Sequence, residues 1–230
     1  MTLFGPGPTV SHDALRLLAH ARTAFAAVGE DGGRLYAAPP LIPDRSGLAR
    51  LQARLWADDD LRLILAWRMY ARRLGELQPH RDLNVLRGIV GPRMKESYAL
   101  LAGQIAVERC GRRYGRINPG KAGLPNLALY HAASAVEAAA AIAGSATATI
   151  PQLGFINENP GQSFVLDIAD FYRDTFTNPC TFKDAKRARD RPGENIERLA
   201  RRITGGGLAR QGVIPSMIRR IKALIAEDEK

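Results

Sequence analysis

Residues 163–175 carry the pattern that most constrains how this chain can fold. Phe164, Ile168, Phe171 and Thr175 recur at i, i+4, i+7 and i+11, which is one face of an α-helix and not the alternation of a strand. Asp167, Asp170 and Asp174 recur at i, i+3 and i+7 on the neighbouring face. Asn157, Asn159, Pro160 and Gly161 favour turns, and Ser163 has the side chain of an N-cap, so the spacing predicts a helix over 164–174 entered from a loop. Carboxylates three residues apart on a helix can converge on a hard cation such as Mg2+. They are also the ordinary content of a solvated face near a helix N-terminus, where the macrodipole favours aspartate.

Helical spacing recurs through most of the chain. Leu48 to Trp56 reads as one helix, and Asp58 caps a second that runs to Leu74, with Leu61 and Leu65 apolar and Arg68 and Arg72 giving a basic edge. Asp82 to Ile89 begins another, which Pro92 kinks or restarts because it lacks an amide donor. Asn126 is the expected cap of an alanine-rich helix ending at Gly144. Ile196, Leu199 and Ile203 share one face of a helix that Gly205 to Gly207 should break. Pro215 opens a last helix striped by Met217, Ile221, Leu224 and Ile225.

The first residues differ. Ser11 to Ala21 reads as a short helix, Thr23 to Val28 as a strand, Glu30 to Gly33 as a turn and Arg34 to Ala37 as the return strand. A two-stranded hairpin is marginal alone and needs further strands or a surface to lie on. Pro39, Pro40 and the segment Pro43 to Gly47 mark a linker. The expected class is α+β: part of an N-terminal β-rich domain over 1–44 (short helix plus β-hairpin), then a mostly α-helical domain over 45–230.

Charge narrows the partners. The chain has a net charge of +10, which argues for an anionic partner, nucleic acid first. The cations cluster at Arg109, Arg112, Arg113 and Arg116, at Lys183, Lys186, Arg187, Arg189 and Arg191, at Arg198, Arg201 and Arg202, and at Arg219, Arg220 and Lys222. Each cluster alone is an ordinary solvated face; their sum argues for a phosphate track. No long apolar span or signal peptide stands out, so the expectation is a cytoplasmic protein that does not use a membrane. Cys110 and Cys180 form no CxxC pair and read as free thiols, and the four histidines (His12, His20, His80, His131) lack zinc-site spacing. Tyr114 follows two arginines and could stack on a base, whereas Tyr130, inside the alanine-rich helix, reads as core packing.

The run Gly154-Phe-Ile-Asn-Glu-Asn-Pro-Gly-Gln-Ser-Phe-Val-Leu-Asp-Ile-Ala-Asp resembles the signature of the CRISPR-associated Cas-one integrase family, subtype I-E. Further blocks fall in that family's order: Val10-Ser-His-Asp-Ala, Val28-Gly-Glu, Arg34-Leu-Tyr, Asp59-Asp-Leu-Arg-Leu, Leu86-Arg-Gly-Ile, Tyr98-Ala-Leu-Leu-Ala, Gly111-Arg-Arg-Tyr and Leu129-Tyr. The likeness runs from Thr9 to Ala226. It implies a DNA endonuclease and integrase of spacer acquisition that uses Mg2+ or Mn2+, forms homodimers and assembles on the Cas-two protein. The family's metal ligands are a glutamate, a histidine and an aspartate, at positions held here by Val90, Asn157 and Asp170, and Asp167 matches a second family aspartate. Arg16, Arg34, Arg87, Arg112, Arg113 and Arg173 match positions used for DNA phosphates or site architecture, and Tyr114 and Tyr130 match tyrosines near the active site. The family also has β-strands ahead of the position of Pro8, so the N-terminus reads as shortened.

With the glutamate and histidine replaced, the expected function is a DNA-binding relative with impaired metal chemistry, acting beside an active copy. An active enzyme using Asp167, Asp170 and Glu158 is the alternative. A helical nucleic-acid-binding module without enzymatic use is the third.

Overall fold

The computed structural model describes residues 2–21, 23, 25–29, 35–37, 47–75, 124–191, 193 and 195–226, with isolated positions between 82 and 100. The chain opens with β1 (Thr2–Phe4), α1 (His12–His20), β2 (Phe25–Val28) and β3 (Leu35–Ala37). Ser11 starts α1 by accepting the Ala14 N–H on its hydroxyl at 3.2 Å. The expected hairpin is present: β3 runs antiparallel to β2, with Ala27 opposite Ala37, while its turn lies outside the described residues.

Strand β1 was not legible in the sequence, because three residues are too few to show an alternation. It pairs parallel to β2, Thr2 opposite Phe25 and Phe4 opposite Ala27, in the order β1-β2-β3. The sheet also has a surface to lie on. Ala26 and Val28 point inward and are buried against Ile142, with Ile214 alongside.

The rest is helical: α2 (Gly47–Ala57), α3 (Asp59–Leu74), α4 (Leu124–Ala146), α5 (Ser163–Asp170), a π-helical turn (Arg173–Thr177), α6 (Asn178–Asp190), α7 (Ile196–Arg210) and α8 (Val213–Ala226). The class is α+β, as expected. Asp58 caps α3 by accepting the Leu61 N–H at 3.0 Å, and Gly75 closes it with φ +74°.

Helix α4 corrects three expectations. It begins at Leu124 with Pro125 in the first turn, so Asn126 lies inside the helix rather than capping it. It passes through Gly144 and ends at Ala146, because the Thr147 hydroxyl donates to the Ala143 and Gly144 carbonyls at 2.9 and 3.0 Å and closes the last turn. Finally, Pro125–Ala146, with mean hydropathy 1.3, is long and apolar enough by composition to cross a bilayer, although no such span was expected. Its setting gives the reason for that apolarity: α5, α6, α7 and α8 all pack on it, and Ala132, Ala139, Ala140 and Ala143 are buried. A helix apolar all round is what a central core position requires. Small alanines let the neighbouring helices come close.

Gly205 to Gly207 do not break α7 either. A Cβ at Gly207 would lie 3.0 Å from the Phe176 ring, so the glycine is the contact surface on which that aromatic packs. The packing outweighs the helix-propensity penalty of roughly 1 kcal/mol per glycine.

Candidate functional site

The site is built from the loop ahead of α5. A Cβ on Gly154 would sit 2.6 Å from the Ser163 carbonyl carbon, so only glycine lets the loop cross the helix start. Ser163 is therefore not the N-cap: Gln162 takes that position without a side-chain bond. The Ser163 hydroxyl accepts the Gly154 N–H at 2.9 Å and donates to the Gln152 carbonyl, stapling loop to helix. Phe155 and Phe164 meet edge-to-face at 6.0 Å in the core beneath. From α2, the buried Gln52 amide holds the preceding turn, donating to the Ile150 and Leu153 carbonyls at 3.0 and 2.9 Å and accepting the Ile150 N–H at 2.7 Å.

Asp167 faces this loop rather than the solvent. It is 1% exposed. One oxygen accepts the N–H groups of Phe155 and Ile156 at 2.6 and 3.1 Å; the other accepts the backbone and side-chain N–H of Asn157, both at 2.8 Å. Burial pushes its carboxyl up to about 6, against the downward pull of these bonds from Ile156, Asn157 and Phe155.

The acidic stripe therefore splits. Asp170, partly exposed at the end of α5, ion-pairs with Arg173 at 2.8 Å through one oxygen and faces Arg73 at 3.7 Å through the other. Arg73 reaches across from α3, and its Nε pairs with Asp174 at 3.2 Å. Asn178 donates to the second Asp174 oxygen at 3.4 Å.

The π-helical turn resets the helical phase beyond α5. Thr177 N–H bonds back five residues to the Tyr172 carbonyl at 2.8 Å, which widens the turn and rotates the residues within and beyond it. Thr175, expected on the packed face with Phe164, Ile168 and Phe171, is exposed, and Phe176 is buried in its place. From α8, Arg220 lies over the Phe171 and Tyr172 rings at 5.5 and 5.3 Å, so this member of a basic cluster packs against the site's own wall.

The remaining candidates are scattered. Arg16 is exposed on α1 beside Asp13 at 3.3 Å. Glu158 is exposed on the loop. Tyr130 is 38% exposed and meets His131 edge-to-face rather than being buried in the core. Lys183, Lys186, Arg187 and Arg189 line the exposed side of α6, followed by Arg191. Cys180 is a buried free thiol, pushed up to about 11 by burial and by Asp184. Val90, Arg34, Arg87, Arg112, Arg113, Tyr114 and Cys110 lie outside the described residues.

A hard divalent cation needs several oxygen ligands. Both Asp167 oxygens are filled by N–H donors, both Asp170 oxygens face guanidinium groups, and the Asn157 amide nitrogen is turned onto Asp167. Among the described residues no three His, Cys, Asp or Glu side chains converge. These donors do not fit a resident Mg2+ or Mn2+. Gln52 and Arg73 carry no signal of a site role in the sequence: they act on partners about a hundred residues away, and no local spacing marks that.

No family profile matches the chain. It is 37% identical over 199 residues to the CRISPR-associated endonuclease Cas1 of Escherichia coli, an alignment covering 86% of this chain and 65% of that protein. It is 32% identical over 229 residues to CRISPR-associated endonuclease Cas1 2 of Thermus thermophilus, covering 98% of this chain and 70% of that one. The chain thus spans slightly less than two thirds of the Escherichia coli relative. In three dimensions it superposes on the TtCas1–DNA crystal structure with TM-score 0.87 at 31% identity, over 97% of this chain and 82% of that one. A casposase bound to its integration product shares the fold at TM-score 0.70 and 13% identity.

Proposed function

This chain belongs to the Cas1 family of CRISPR-associated endonucleases, and we propose that it is a DNA-binding member of the subtype I-E pattern whose metal-dependent nuclease and integrase chemistry is lost or strongly reduced. The observation that carries the proposal is the state of the carboxylates. Asp170, the one family ligand position with a matching residue, has both oxygens facing arginines, and Asp167 is filled by the loop backbone. Val90 offers no donor at the glutamate position, and the Asn157 side chain is engaged with Asp167. Phosphoryl-transfer chemistry of this kind relies on an ion to polarise the phosphate and position the attacking hydroxyl. Here the chain's own residues do other work: Asp167 shapes the loop, and Asp170 holds arginines.

DNA as the partner is supported by the net charge of +10, by the cationic side of α6, and by the solved relative that was crystallised with DNA. The same reading takes 1–44 and 45–230 as the two domains, the cytoplasm as the place of action, and a second Cas1-type copy and a Cas-two-type protein as partners in spacer acquisition. Residues Arg16, Arg34, Arg87, Arg112, Arg113, Tyr114 and Arg173 are the proposed DNA contacts. An active enzyme using Glu158 would need Asp167 to surrender four hydrogen bonds and an exposed loop carboxylate to turn inward, which nothing in the geometry favours.

The test is DNA binding by gel shift in EDTA and in Mn2+, over a salt series. Affinity should be the same with and without metal and should fall steeply with salt, by about 0.9 in the log–log slope for each phosphate neutralised. Binding that collapses in EDTA would refute a metal-independent role.

A further inference from the structure

We infer that Arg73 and Arg173 take the place of the divalent cation, forming a guanidinium clamp that neutralises Asp170 and Asp174 from within. The inference rests on the reading above that metal chemistry is lost.

Three features carry it. Two carboxylates and two guanidiniums form one contiguous network: Arg173 to Asp170 at 2.8 Å, Arg73 to Asp170 at 3.7 Å and Arg73 to Asp174 at 3.2 Å. The formal charge of these four groups is zero, so an approaching cation meets no net negative charge there. The Arg73 side chain is only 8% exposed, which weakens screening by water and strengthens its attraction to both carboxylates. Thirdly, the clamp spans separate elements. Arg73 comes from α3, Asp170 ends α5, and Asp174 sits in the π-helical turn, so one guanidinium cross-links segments as a shared ion would. Arginine suits this role because its planar fork carries five donors and keeps its proton at any physiological pH.

Removing Arg73 leaves Asp170 and Asp174 without their shared cation. A divalent ion should then become stabilising where it was indifferent before. Thermal melts in EDTA and in millimolar Mn2+ read this directly. Wild type should melt at the same temperature in both. Arg73→Met should melt lower in EDTA and recover by about 3 °C or more in Mn2+, as expected of a ligand that binds only the folded state. Adding Asp170→Asn to that variant should abolish the recovery. Should Arg73→Met not fold, Arg173→Met, at the more exposed end of the network, should show the same recovery in smaller degree. Variants that fold but gain nothing from Mn2+ overturn the clamp, as does a wild-type protein stabilised by Mn2+ through Asp170. Failure of rescue leaves the proposed function standing, whereas Asp170-dependent strand transfer by wild type defeats that function whatever the melts show.

Discussion

At Gly154 the chain has no room for a methyl group: a Cβ would meet Ser163 backbone and side chain at 2.6 Å and the Phe164 nitrogen at 2.9 Å. Gly154→Ala should therefore push the loop off α5 and lower stability by about 3 kcal/mol, the upper end of ordinary overpacking, measurable by urea denaturation. Asp184 lies wholly buried where α6 meets α7, beside Thr204, and burial pushes its carboxyl up to about 8 against the pull of Thr204 and Arg187. The ordinary value is 3.8, so the folded state holds this proton more tightly than the unfolded one. Its contribution to stability is complete below about pH 4 and is lost as pH rises towards 8. Asp167, raised to about 6, adds a slope of the same sign only over the lower part of that range. The melting temperature should thus fall between pH 6 and pH 8, and Asp184→Asn should flatten that segment. An unchanged slope in Asp184→Asn would assign the effect to another group.

Among the elements, Gln52 links α2 to the turn ahead of the site through three hydrogen bonds about a hundred residues distant in sequence. Gln52→Leu would strand the Ile150 N–H and the Leu153 carbonyl, while the Ile150 carbonyl keeps the Leu153 N–H at 3.2 Å, and should cost about 3 kcal/mol; limited proteolysis should find the 150–162 loop opened first. The elements that were legible announce themselves locally. Asp58 at the start of α3, Ser11 before α1, and the Met217, Ile221, Leu224, Ile225 stripe of α8 each needed only their neighbours to be read. Those misread depend on what packs against them. Gly144 and Gly207 look like helix stops until the Thr147 hydroxyl is seen on the Gly144 carbonyl and the Phe176 ring against Gly207, and the π-helical turn rotates Thr175 out and Phe176 in with no residue pattern to mark it. β1 holds its place through pairing with β2, not through its own three residues.

Across the whole molecule, the fold and the family were visible because many short blocks occur in the right order, and the Cas1 superposition spans nearly the entire chain. The state of the site was only half visible. The resemblance sets Val90 and Asn157 at the family's ligand positions as an expectation only, and whether Asp167 and Asp170 point at a common centre was not legible, since their orientation depends on a loop backbone and on Arg73 from a different helix. The result is a Cas1-type scaffold in which carboxylates serve the loop and the arginines. The most direct test is a strand-transfer and nicking assay in Mg2+ and in Mn2+, comparing folded, DNA-binding wild-type protein with Asp170→Ala. The expected result is no product from either. Product from the wild type that disappears in Asp170→Ala would contradict the account and make Glu158 the next residue to replace.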